Sequence, residues 1–110
     1  MKIISEQEFA DRLDRLVKSR PDLGQFKFVT GPGRSGAIAS VYASHALGIP
    51  FLPYGSKVGG EVLVIDTVTK SGRTLRKAER RYGGTGVALF DGSSERHVFW
   101  YEASAREQGT

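Results

Sequence analysis

Residues 62–78, VLVIDTVTKSGRTLRKA, gather the side chains best able to do chemistry. An apolar run ends at one carboxylate, Asp66, and is followed by Thr67, Thr69, Lys70, Ser71, Gly72, Arg73 and Thr74, then by a basic stretch. The apolar run reads as a buried strand and the basic stretch as a helix. Hydroxyls, a glycine and cations between a strand and a helix supply converging O–H and N–H donors beside a positive helix end. That is the equipment for holding a phosphate. A carboxylate at the adjoining strand tip can accept hydrogen bonds from sugar hydroxyls. The plainer reading of the same residues is a capped turn followed by a solvated basic helix face.

A second loop has related equipment. Residues 31–36, Gly31, Pro32, Gly33, Arg34, Ser35 and Gly36, follow a short apolar run and satisfy the G-x-G-x-x-G spacing of dinucleotide sites. That fingerprint also wants an acid at the end of the next strand, and here the strand ends Pro53-Tyr54-Gly55. What survives is physical. Glycines let backbone N–H groups approach an anion at a helix N-terminus, with Arg34 to reach it; the alternative is a tight turn and nothing more.

The elements that must position these loops follow from periodicity and turn signals. Ser5 and Glu8 form a capping box before Phe9, Leu13, Leu16 and Val17 at helical spacing, and Pro21 stops that helix. Strands are expected at 26–30 (FKFVT), 51–54 (FLPY), 61–66 (EVLVID), 85–90 (TGVALF) and 96–103 (RHVFWYEA, an alternating edge strand). Helices are expected over Ala37–Leu47, closed by Gly48, and Arg73–Tyr82, closed by Gly83. The continuous apolar runs VLVI and VALF suit strands covered on both faces. The expectation is a single α/β domain over 1–110, a three-layer Rossmann-like arrangement with a mostly parallel five-stranded sheet. Ligands in such sheets bind beyond the carboxyl ends of the strands, where GPGRSG, DTVTKSG and DGSSE (91–95) all fall.

Composition narrows the classes. The 110 residues carry a net charge of +4, and between Lys70 and Arg81 six bases stand against one acid, Glu79, so anion attraction is local. No cysteine is present, which excludes disulfides and thiolate chemistry, and two distant histidines, His45 and His97, do not suggest a metal site. No run approaches the ~20 apolar residues of a membrane span. MKIISEQEF turns acidic at once, unlike a secretory signal. A cytoplasmic protein without a membrane partner is expected.

Residues 62–75 resemble the signature of the type I phosphoribosyltransferases: a buried strand, acids, apolar residues, then a small-Thr-Gly-variable-Thr loop entering a helix. Asp66 matches the first acid, Ser71, Gly72 and Thr74 match the loop, and Arg73 falls at the variable position. Residues 28–54 also look like the family's strand, pyrophosphate loop, helix and Gly-Ile-Pro entry into the next strand. The resemblance implies that Asp66 is the catalytic-site carboxylate contacting the ribose hydroxyls of phosphoribosyl pyrophosphate. It further implies that Thr67, Thr69, Lys70, Ser71, Gly72, Arg73 and Thr74 cradle the 5′-phosphate. The loop Gly31, Pro32, Gly33, Arg34, Ser35 and Gly36 would hold the pyrophosphate. Mg²⁺ would arrive with that ligand rather than on protein ligands of its own. Among Phe99, Trp100 and Tyr101, one could stack on a base, though period-2 alternation sends some of them to the core.

Three departures stand beside the resemblance. Thr67 occupies the place of a usual second acid, Lys70 stands where some purine-specific members carry an acid, and the covering loop shrinks to Gly55–Gly60 with Lys57 its only charge. Covering loops exclude water from reactive intermediates. Two functions are therefore carried forward. One is a minimal phosphoribosyltransferase of nucleotide metabolism, transferring the phosphoribosyl group to a nitrogenous base. The other is a non-catalytic module that binds phosphoribosyl pyrophosphate or a nucleotide. A small phosphorylated sugar or nucleotide is the expected partner, a homodimer is compatible with the sequence, and no interleaved aromatic stripe supports nucleic-acid binding through helix 73–81.

Overall fold

The computed structural model describes residues 1–58, 60–69, 71–92 and 94–102. In chain order the elements are β1 (Lys2–Ile4), α1 (Glu6–Ser19), a 3-10 turn (Pro21–Gln25), β2 (Phe28–Thr30), α2 (Gly33–Leu47), β3 (Val62–Thr69), α3 (Arg73–Tyr82), β4 (Thr85–Asp91) and β5 (His97–Phe99). All five strands pair in parallel, but in two sheets: β2-β3-β4 forms one and β1-β5 the other. The expected α/β architecture is present, with a different fifth strand. Segment 51–54 makes one bridge, Phe51 to Val29, because Pro50 before it and Pro53 within it donate no N–H. Its backbone bonds to β2 are Val29 N–H on Pro50 O at 2.9 Å and Leu52 N–H on Val29 O at 2.9 Å. β1, which the sequence reading leaves out, takes the vacated place in the count by pairing Lys2, Ile3 and Ile4 with His97, Val98 and Phe99.

Ser5 caps α1 as expected, accepting the Glu8 N–H at 3.1 Å. The return half of the box is diverted, since the Glu8 carboxylate pairs with Lys2 Nζ at 3.1 Å. The side chains of β3 divide between two layers. Leu63 and Ile65 join Phe9, Leu13, Val29, Ala39, Ala43, Phe90 and Phe99 in the main core beneath α1 and α2. Val62 and Val64 are equally buried on the opposite face. Val64 is in register with Gly86, where a Cβ would meet Leu75 and Glu79 of α3, so this face packs on α3. Alternation then puts Asp66 on the α3 face and Thr67 on the core face.

Three boundaries differ from expectation. β3 runs on to Thr69, because β-branched Thr67, Val68 and Thr69 suit a strand and pairing with β4 continues through Val68–Phe90 and Thr69–Asp91. α2 begins at Gly33, with the Gly36 N–H on Pro32 O at 3.2 Å, so the last four residues of GPGRSG are the helix's first turn. β5 stops at Phe99, whose N–H is taken by the Glu102 carboxylate at 3.2 Å. That is a capping interaction which starts a helical turn at Trp100 in place of a longer strand.

One core group is chemically incomplete. Thr30, fully buried at the end of β2, has an Oγ1 with no hydrogen-bond partner among the described residues. Burying an unpaired hydroxyl costs about 1–3 kcal/mol, and replacing it by a methyl removes that penalty. Thr30→Val should therefore raise the melting temperature by a few degrees, on the order of 4 °C, in a thermal melt. A lower melting temperature would mean that the hydroxyl has a partner after all.

Candidate functional site

The carboxyl edge of the β2-β3-β4 sheet brings the two loops to one place. Asp66, Val68, Thr69, Ser71, Gly72, Arg73 and Thr74 line a concavity of about 160 Å³ at the N-terminus of α3. This is below the roughly 300–1,000 Å³ of pockets that enclose a drug-sized ligand, so it suits one small polar group such as a phosphate. Ser71 Oγ accepts the Arg73 N–H at 3.3 Å, and Arg76 Nη1 donates to Ser71 O at 3.0 Å, strapping the loop to the second turn of α3. Gly72 sits at φ 75°, a left-handed conformation, with no side-chain cap on the helix it precedes.

The other loop meets β3 one residue earlier. A Cβ on Gly31 would fall on the carbonyl oxygens of Gly36 and Ile65, so only glycine permits this approach of loop to strand tip. Ile65 therefore touches the GPGRSG loop while its neighbour Asp66 lines the concavity. α2, like α3, starts without a side-chain cap, at Pro32. Two helix N-termini, each with a positive end, thus open at the same sheet edge.

Asp66 is half-buried, and its Oδ1 accepts the Thr67 N–H at 2.8 Å. Burial pushes its carboxyl pKa up, and the Thr67 bond opposes that in part. Asp66 is the carboxylate in the lining of the concavity. Among the described residues no group of three His, Cys, Asp or Glu could hold a metal. A single strand-tip carboxylate is a donor of the kind Mg²⁺ can use, since that ion keeps several waters and needs only one or two carboxylates.

Not every residue expected in the site is there. Thr67 is 3% exposed and faces the core, away from the concavity, because β3 has not ended at Asp66. Thr69 does line the concavity, but as the last strand residue and not as part of a loop. Lys70 lies outside the described residues, as do Ser93 of the DGSSE turn and the tail 103–110. In the α2 loop, Gly31 and Gly36 are buried, Pro32 and Ser35 half-buried, and Gly33 and Arg34 exposed. At the start of the short segment expected to cover the site, Gly55 N–H reaches the Tyr82 hydroxyl at 2.7 Å, and just before it Arg81 lies over Tyr54 at 5.5 Å.

The aromatic trio is also resolved. Phe99 is 3% exposed in the core. Trp100 packs edge-on to Phe9 at 5.2 Å and to Tyr42 at 6.2 Å. Tyr101 stacks on Phe99 at 5.6 Å, and its hydroxyl lies 2.6 Å from Ser35 Oγ. Sequence reading missed that last contact, and it also missed Val68 as a wall of the concavity.

Compared by sequence, the chain matches no family model and no curated protein. Its fold is that of the type I phosphoribosyltransferases. The xanthine-guanine-hypoxanthine phosphoribosyltransferase of Helicobacter pylori superimposes with a TM-score of 0.76 at 14% identity, over 98% of this chain and 96% of that one. The purine phosphoribosyltransferase of Pyrococcus horikoshii gives 0.68 at 18% identity, over 93% and 95%. A hypothetical protein from Neisseria gonorrhoeae, solved with bound ppGpp, gives 0.66 at 12% identity, over 99% and 98%.

Proposed function

We propose that the protein binds phosphoribosyl pyrophosphate across the carboxyl edge of the sheet and transfers its phosphoribosyl group to a nitrogenous base. The observation that carries this reading is the shared strand tip, where Ile65 abuts one glycine loop and Asp66 lines the other. A ligand with phosphates at both ends and a diol between them matches that order of groups. Ser71, Gly72, Arg73 and Thr74, with Thr69 and Lys70, hold the 5′-phosphate. Gly31 to Gly36 hold the pyrophosphate, and Asp66 accepts hydrogen bonds from the ribose hydroxyls. Bound Mg²⁺ would neutralise charge on the pyrophosphate as it leaves. The acceptor nitrogen forms its bond to C1′ as the C1′–O bond to pyrophosphate breaks, and the protein's part is positioning and charge stabilisation.

A second reading, a binding module without turnover, has an observation of its own. The segment that would cover the reaction is short and tied to the end of α3 through Tyr82 and Arg81. The ppGpp held by the Neisseria gonorrhoeae neighbour shows that a protein of this fold and length can be a nucleotide binder. Calorimetry with phosphoribosyl pyrophosphate and Mg²⁺, followed by a pyrophosphate-release assay with purines, pyrimidines and orotate, separates the two. Binding with release supports the transferase. Binding without release by any base puts the module in its place.

A further inference from the structure

The segment after β5 reaches back to the first turn of α2. There the Tyr101 hydroxyl lies 2.6 Å from Ser35 Oγ, across 66 positions of sequence. Its ring is stacked on Phe99, nearly parallel at 7°, and the Arg34 guanidinium carbon sits 6.0 Å from the ring centroid. Packing on Phe99 needs only the ring, and phenylalanine would fill the same space. The hydroxyl is an addition, and it is spent on the loop that carries Ser35 and Arg34.

We infer that Tyr101 is a positioning residue of the pyrophosphate loop, its hydroxyl fixing Ser35 and its ring holding Arg34 at the site's pyrophosphate end. Burial pushes the Tyr101 hydroxyl pKa up, the bond to Ser35 opposing in part, so at neutral pH it keeps its proton, and either hydroxyl can donate in the bond between them. In the arrangement where Tyr101 donates to Ser35 Oγ, the Ser35 proton is free to point at an anion, and hydrogen bonds in such a chain polarise one another. α2 has no side-chain cap of its own, so its first turn depends on neighbours for order. Side chains held before the ligand arrives also lose less freedom when it binds. The inference rests on the phosphoribosyl pyrophosphate reading and adds a residue to it from outside both loops.

The test is calorimetry on the whole chain with two ligands, phosphoribosyl pyrophosphate with Mg²⁺ and ribose 5-phosphate, which lacks the pyrophosphate. Tyr101→Phe keeps the ring and removes the oxygen. It should bind the first ligand about fivefold more weakly, the worth of one hydrogen bond, and the second as wild type does. Ser35→Ala removes the loop hydroxyl itself and should lose at least as much toward the first ligand only, and adding Tyr101→Phe to it should cost nothing further. Trp100, the chain's single tryptophan, adjoins Tyr101. Its emission should respond to phosphoribosyl pyrophosphate in wild type and respond less in Tyr101→Phe. Equal weakening toward both ligands, or no weakening toward either, overturns the inference while leaving the binding reading intact. Wild-type protein that binds neither ligand overturns the reading itself, and the inference with it.

Discussion

Gly72→Val is expected to abolish binding of ribose 5-phosphate. The residue lies at φ 75°, ψ 4°, immediately before α3. An L-residue there costs roughly 1–2 kcal/mol, and a β-branched one more. A Cβ would also come 2.9 Å from Arg76 Nη1, which donates to Ser71 O and straps the loop. That end of an arginine can swing away, but in doing so it releases Ser71. The two γ-carbons of valine would in addition compete for a concavity of only about 160 Å³. Gly83→Val is the matched control. Gly83 is also left-handed, at φ 62°, but closes the far end of α3 with open space around it. Both variants should lose stability in a thermal melt, and only Gly72→Val should lose the ligand in calorimetry. A Gly72→Val protein that binds as wild type does would move the phosphate site elsewhere.

What the sequence makes legible depends on how local the cause is. α3 falls on its expected bounds, Arg73–Tyr82, because glycines flank it on both sides and Leu75, Ala78 and Tyr82 repeat at helical spacing. β4 is legible from VALF for a similar reason. β1 is not, since three residues ahead of a helix cap show no periodicity and gain strand geometry only by pairing with β5 at the other end of the chain. The extension of β3 through Thr69 escapes notice because polar threonines read as loop until β4 lies alongside. That one extension moves Thr67 from the site to the core. Likewise nothing near Tyr101 in sequence points to Ser35, and only the tertiary fold joins them. That the two glycine loops lie at one sheet edge is legible, because the strand and helix signals on either side of each are local.

Asp66→Asn should weaken ligand binding and stabilise the empty protein at once. Hydrogen bonds to a charged group contribute about 1.5–3 kcal/mol, so loss of the carboxylate should reduce affinity for phosphoribosyl pyrophosphate by roughly tenfold or more. Stability moves the other way. Burial raises the folded pKa of Asp66 above its ordinary value, so the folded state holds the proton more tightly than the unfolded one. The contribution of Asp66 is then most favourable below the ordinary aspartate value of about 3.9 and is lost as pH rises through the raised folded pKa. Asparagine keeps the Oδ1 that accepts the Thr67 N–H but carries no charge. The stability of Asp66→Asn relative to wild type should therefore grow between acid and neutral pH, and then level off. Adding an acid next door does not reverse the loss. Thr67 is 3% exposed on the core face, so Thr67→Asp buries a carboxylate where no sugar can reach it and should destabilise the fold. Paired denaturation and calorimetry at several pH values decide the matter. An Asp66→Asn protein that binds undiminished, with no pH-dependent gain in stability, would leave this carboxylate without the role proposed for it.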